Sequence, residues 1–239
     1  MSEKLIDEFL KNRSNSIDNS VYDEKHKKII KNVDLKKDIK KFRNWDFQND
    51  MGLNYRLGTL PKIFLNYYRV KLISSLFEVI NKRINHYFEF SSLLDDIQVI
   101  EKIGGEKLLK ENPQNKTPGA INYPLIKGYS VSTRWLRYIY LLKQLQNHNL
   151  ISNNSIWLDV GSYYGGLQGL VKKYYPNAKI ILIDFEHQLI RSYIYLKNLY
   201  PESFHVLPGE INKFESFDNL PNGCIVYIDQ KDFDSIKHF

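Results

Sequence analysis

From Ile156 onward the chain alternates short apolar runs with amphipathic ones, and this alternation narrows the fold more than any other feature. "SIWLDV" is an apolar strand that ends at a glycine-rich turn, and "GGLQGLVKKYYPNA" reads as a helix stopped by Pro176. "KIILIDF" is a second apolar strand, followed by the helix "HQLIRSYIYLKNLYP", which Pro201 stops. "SFHVLPGEI" is a weaker strand and "GCIVYIDQ" another continuous apolar one. Strand and helix alternating at this spacing predict parallel βαβ units with right-handed crossovers. The unbroken apolar character of "KIILIDF" predicts burial on both faces.

The 155 residues before this core have a different texture. Residues 1–110 read mostly as helix, with Val70, Ile73, Leu76, Phe77, Ile80 and Ile84 at three- and four-residue spacings in 67–90. Pro61 sits at an interruption before them and suits an early helical position. Segment 111–132 holds three of the eight prolines and reads as an ordered loop or linker. The segment 132–151 is a helix candidate capped by Ser132 or Thr133, with Trp135, Tyr138, Ile139, Leu142 and Leu145 on one stripe. The expected organisation is therefore a helical N-terminal region (1–110), a Pro-rich loop with its connecting helix (111–151), and a cofactor-binding core (152–239).

The net charge is +7, and residues 1–110 carry most of it, with 21 Lys+Arg against 16 Asp+Glu. In 25–43 the lysines are interleaved with Ile29, Ile30, Val33, Ile39 and Phe42. That pattern is a solvated basic helix face, with contact to an acidic partner or a membrane surface as the alternative. No nucleic-acid partner is expected. A single cysteine, Cys224, excludes an internal disulfide and a cysteine-based metal cluster, and the histidines show no metal-ligand spacing. No apolar run approaches the ~18 residues of a transmembrane span, and the N-terminus does not read as a signal peptide. The expectation is a cytoplasmic protein without a transmembrane segment.

The turn after the first strand carries the chemistry. In "IWLDVGSYYGGLQGL", Gly161 allows a sharp reversal, and Gly165 and Gly166 let backbone approach a ligand and the next helix. The turn is expected at the carboxyl end of the sheet, beside the point where strand order reverses. Asp184 ends the second strand 25 residues after Asp159, where a carboxylate can accept from both hydroxyls of a ribose. A dinucleotide turn usually reads GxGxxG, but Tyr163 stands where the middle glycine is expected. Asp159 would be poorly placed beside a pyrophosphate. It suits a ligand with an ammonium and a sulfonium, which is S-adenosylmethionine.

"LDVGSYYGGLQGL" followed by "IILIDFEHQLIRSYIYLKNLYP" resembles the first two motifs of class I S-adenosylmethionine-dependent methyltransferases. With "ENP" in the Pro-rich loop and the "GYSVSTRWLRYIYLLKQL" helix, residues 100–239 resemble more narrowly the bacterial proteins grouped as sugar O-methyltransferases. The resemblance implies a Rossmann-like, doubly wound α/β core and methylation of a hydroxyl on a sugar or glycan precursor. It implies that Asp159, Gly161, Ser162, Tyr163 and Gly165 line the cofactor, that Asp184 holds its ribose and that Phe185 flanks its adenine. From the residues alone, Phe185 is equally a core side chain, and His187 points to solvent or adenine.

In that fold the residue ending the fourth strand comes closest to the reacting centre, which here is Asp229. Asp229 is the candidate base or substrate orienter, with capping of the next helix as its structural alternative. Only four strand candidates are present, so the core reads as truncated after the fourth. That would leave one side of the fourth strand unpaired and open to self-association. The competing readings are a non-catalytic, methyltransferase-like binding module and a Rossmann oxidoreductase using a dinucleotide.

Overall fold

A computed structural model of the protein describes residues 2–13, 91–120 and 125–236. The helix expected over 67–90, the break at Pro61 and the basic segment 25–43 lie outside the described residues. The described residues fall into two compact units, one of 2–13, 116–120 and 141–236, the other of 91–115 and 125–140. Among them no helix is long and apolar enough to cross a membrane.

The first unit is an α/β structure. It opens with α1 (Ser2–Lys11), and its sheet has four parallel strands. These are β3 (Ile156–Val160), β4 (Lys179–Asp184), β5 (His205–Val206) and β6 (Ile225–Asp229), in the spatial order β3-β4-β6-β5. Two helices cross between strands. The first, α5 (Gly166–Tyr174), stops two residues before Pro176, and α6 (Glu186–Leu199) stops two residues before Pro201.

Register partners point to the same face of a sheet, so the two faces can be assigned residue by residue. Ile181, Ile183, Val226 and Ile228 meet Val206, Ile211, Leu220 and Cys224 on one face, closed by the 3-10 helix Pro208–Lys213 and by Phe214 and Phe217. On the other face Tyr227 lies edge-on to Tyr193 of α6 and to Phe9 of α1. The core strands β4 and β6 are buried along almost their whole length, as continuous apolar runs predict.

Close packing of α5 on α6 rests on glycine. A Cβ at Gly169 would lie 2.9 Å from the Tyr195 ring and 3.1 Å from Leu199. At Gly165, which has φ of +86°, a Cβ would press on Leu196 at 3.1 Å.

Two expectations are corrected. The fourth strand, β6, is not open: β4 pairs on one side of it and β5 on the other. Nor does the first strand stand beside the reversal of strand order. Among the described strands β3 is an outer one and pairs only with β4. The chain steps from β3 to β4 and out to β5, then folds back to insert β6. The strands flanking this insertion are β4 and β5. The physical reason is that the weak strand in "SFHVLPGEI" pairs with β6 at Ile225 and Val226, a ladder two residues long. The exposed apolar edge lies on β3 instead, where Ile156, Leu158 and Val160 share one face and Val160 is 70% exposed.

The second unit is helical with one hairpin. Residues 91–102 form α2, followed by α3 (Glu106–Glu111), the pair β1 (Leu125–Ile126) and β2 (Tyr129–Ser130), and the start of α4 (Thr133–Asn147). The hairpin falls in the segment read as a loop. Its turn is Lys127-Gly128, with φ of +49° and +83°, the doubly left-handed geometry that two-residue hairpins favour.

Ser132 caps α4 by accepting the Trp135 N–H at 3.2 Å, and it is itself held by Gln114 through two hydrogen bonds. The Trp135 indole donates to the Asn112 carbonyl at 2.9 Å. "ENPQ" therefore fixes where α4 begins.

Candidate functional site

The carboxyl ends of β3, β4 and β6 each carry an aspartate near the strand terminus, Asp159, Asp184 and Asp229. Asp184 and Asp229 are direct register partners on adjacent strands, and the charge of Asp184 is felt at Asp159. All three belong to the first unit.

The turn joining β3 to α5 wraps around Asp184. Gly161, at φ +85°, continues the ladder by donating its N–H to the Ile183 carbonyl at 2.9 Å. Tyr163 then takes φ of +56°, a conformation that costs a non-glycine residue about 1–2 kcal/mol. The backbone here takes a left-handed conformation that glycine adopts without penalty. Two hydrogen bonds hold it there. The Tyr163 N–H donates to Asp184 Oδ2 at 2.9 Å, and its carbonyl accepts the Ser192 hydroxyl at 2.8 Å. The buried Ser162 hydroxyl also donates to Asp184 Oδ2, at 3.4 Å, and the Phe185 N–H to Oδ1 at 2.8 Å. Asp184 thus orders the turn.

Gly165 forms the left-handed entry to α5, whose first turn has no side-chain cap. Helix N-termini of this kind favour polar or anionic groups.

Asp159 is held differently. Its Oδ2 accepts the side-chain amide of Gln168, in the first turn of α5. Burial raises its pKa, the Gln168 bond opposes this, and the Asp184 charge raises it further. Gln168 is only 1% exposed, and its Oε1 has no hydrogen-bond partner among the described residues.

Asp229 is buried, and burial pushes its carboxyl up to about 6. The Lys231 ammonium at 3.5 Å and the Lys231 N–H at 3.3 Å pull it down, while Glu186 and Asp232 push it up. It stands immediately before the 3-10 helix Gln230–Ile236, so the capping geometry expected as its structural alternative is present. A carboxyl titrating near 6 is also poised for proton exchange at neutral pH.

Phe185, half-buried, is the N-cap residue of α6, and its ring stacks on His187 at 5.9 Å and 22°. The structure thus gathers Asp159, Gly161, Ser162, Tyr163, Gly165, Asp184, Phe185 and Asp229 along one edge of the sheet.

Reading the sequence missed Gln168, Ser192 and Gly169. Gln168 had a usable signal, an amide in the first turn of a helix behind a double glycine. Gly169, four residues past Gly165, marks the same helix face. Ser192 had none, since its role depends on α6 passing beneath the turn. Among the described residues no three His, Cys, Asp or Glu side chains are grouped to hold a metal ion. Comparison of the chain with protein-family models, curated proteins and solved structures finds no match.

Proposed function

We propose that the chain is an S-adenosylmethionine-dependent O-methyltransferase whose cofactor lies across the carboxyl ends of β3 and β4 on a Rossmann-like core. The observation that carries this reading is the row of three carboxylates at the carboxyl ends of adjacent strands, one of which orders a left-handed, glycine-flanked turn. A pyrophosphate would be repelled there, whereas a ligand with an ammonium and a sulfonium is complementary. The residues present fit such a group. Asp159 has only one amide donor and retains capacity for the ammonium. The unpartnered Gln168 Oε1 beside it is an acceptor for a further N–H.

Asp184 would stand beside the ribose, while Gly161, Ser162, Tyr163 and Gly165 supply the close backbone. Phe185 and its stacked His187 offer an aromatic face to a purine. S-adenosylmethionine would supply an electrophilic methyl group on sulfur. Asp229, titrating near 6, would accept the proton of the attacking hydroxyl, and its neighbour Lys231 would steady the charged form. The sugar or glycan acceptor rests on the sequence resemblance alone.

Calorimetric titration of the chain with S-adenosylmethionine, S-adenosylhomocysteine and NAD tests the proposal. Micromolar affinity for the first two, weakened by Asp159→Asn, with NAD much weaker, is the expected result. Preferential binding of NAD, or no binding of any of the three by folded protein, sinks it.

A further inference from the structure

The second unit contains a cavity that the methyl-transfer reading does not use. One wall is a face of α2, where Asp96, Val99 and Ile100 recur at three- and four-residue spacing. The other is a face of α4 that presents Leu136, Arg137 and Tyr140. The cavity volume is about 320 Å³, within the range of small-molecule sites. Its floor is aliphatic, with Ile100 and Leu136 both buried.

Three polar side chains on the rim have no hydrogen-bond or ion-pair partner among the described residues. Asp96 makes no hydrogen bond or ion pair with any described residue, and neither does Arg137 or the Tyr140 hydroxyl. In the same unit Lys127 and Glu101 form an ion pair at 3.1 Å, and Gln114 holds Ser132 through two hydrogen bonds. An acid and a guanidinium on facing helices that met each other would gain a modest ion pair and close the cleft. They do not meet. Burial and the neighbouring Asp95 raise the Asp96 pKa, which marks a carboxylate lacking a counter-charge. A ligand that satisfies both walls needs a cation for Asp96, an anion for Arg137 and an apolar body for the floor.

We propose that this cavity binds a small zwitterion with an aliphatic body, an amino acid or close analogue, its ammonium on Asp96 and its carboxylate on Arg137. The site is independent of the methyl-transfer reading, because none of its residues belongs to the sheet.

The test is an NMR titration of the whole chain with two zwitterions of different charge separation, L-leucine and 6-aminohexanoate. N-acetyl-L-leucine, L-leucinamide and glucose serve as comparison ligands. At least one zwitterion should bind in the millimolar range or tighter and shift amides of both α2 and α4. The leucine derivatives with one charge removed should bind about tenfold more weakly than the matching zwitterion. Asp96→Asn should abolish the preference over the N-acetyl form, and Arg137→Gln the preference over the amide.

Neither side chain has a partner among the described residues, so both variants should keep the wild-type melting temperature. The ligand series on the unaltered chain stands even if a variant misfolds. Failure of both zwitterions to bind, equal binding of glucose, or an unchanged preference in both variants overturns the proposal.

Discussion

Leu158 on β3 and Ile181 on β4 are register partners on the same face of the sheet, yet Ile181 is sealed within an apolar cluster while Leu158 is 43% exposed. The same contrast runs through the strand ends. Asp184, ending the interior β4, takes hydrogen bonds from three donors of its own chain, whereas Asp159 on the outer strand takes one from Gln168. Both strands read in sequence as apolar runs carrying a late aspartate. The difference teaches that position in the sheet, more than residue type, decides whether such a side chain holds the structure or is left for a ligand.

The largest expected effect separates the two strands directly. Ile181→Ala should destabilise the protein by about 3 kcal/mol, as buried large-to-small changes do. Leu158→Ala should cost less than about 1 kcal/mol, because much of its side chain is already in water. Urea denaturation of both variants measures this, and similar losses would break the comparison.

Next in size is the pair of carboxylates. Asp184→Ala strips the acceptors from the Tyr163 and Phe185 N–H groups and the Ser162 hydroxyl, at about 2.5 kcal/mol. Asp159→Ala should cost less than half of that and yet weaken cofactor binding. A folded Asp184→Ala protein of unchanged stability would show that the turn is held by something else.

The pH dependence sharpens the contrast at β6 and its far edge. His205 accepts from the Tyr227 hydroxyl at Nδ1 (3.0 Å) and donates from Nε2 to the Tyr200 carbonyl (3.1 Å), an arrangement that needs the neutral ring. Burial lowers its pKa to about 4, so protons bind the unfolded chain more readily. The stability it allows is lost as pH falls from about 6.5 towards 4, on the order of 2 kcal/mol.

Asp229 acts in the opposite sense. With a folded pKa of about 6, above its unfolded value, its contribution is present below about 4 and is lost as pH rises through 6. The two slopes oppose each other in the wild type. Asp229→Asn should leave a protein that weakens steeply on acidification from pH 6.5 to 4. His205→Gln should leave one that gains stability between pH 6 and 4. Denaturation midpoints across that window read both, and parallel slopes in the two variants would contradict the assignment.

The smallest effect concerns the turn. Tyr163→Gly places a residue without a left-handed penalty at φ +56° and should stabilise the fold by about 1 kcal/mol, less whatever the Tyr163–Tyr164 ring contact contributes. A clear loss of stability in thermal denaturation would mean that the ring contact outweighs the backbone strain.

The sequence by itself determined the elements of the sheet unit and the residues that gather at its edge. Apolar runs of strand length, helices ended by Pro176 and Pro201, and glycines at 161 and 165 are local instructions, set by hydrophobic periodicity and backbone sterics. The cap of α4 was legible as Ser132 or Thr133 for the same reason, and the fold selects Ser132.

Strand order was not legible. Whether β6 pairs with β3 or β4 depends on non-local ladder and packing energies, which leave no mark on either strand's own residues. The same holds for Asp184, two of whose donors arrive from the turn after β3, and for the facing of Asp96 and Arg137 across α2 and α4. Local order follows from the chain's own periodicity. Partnership between distant segments was decided only when tertiary packing chose which strand lies inside and which helix faces meet.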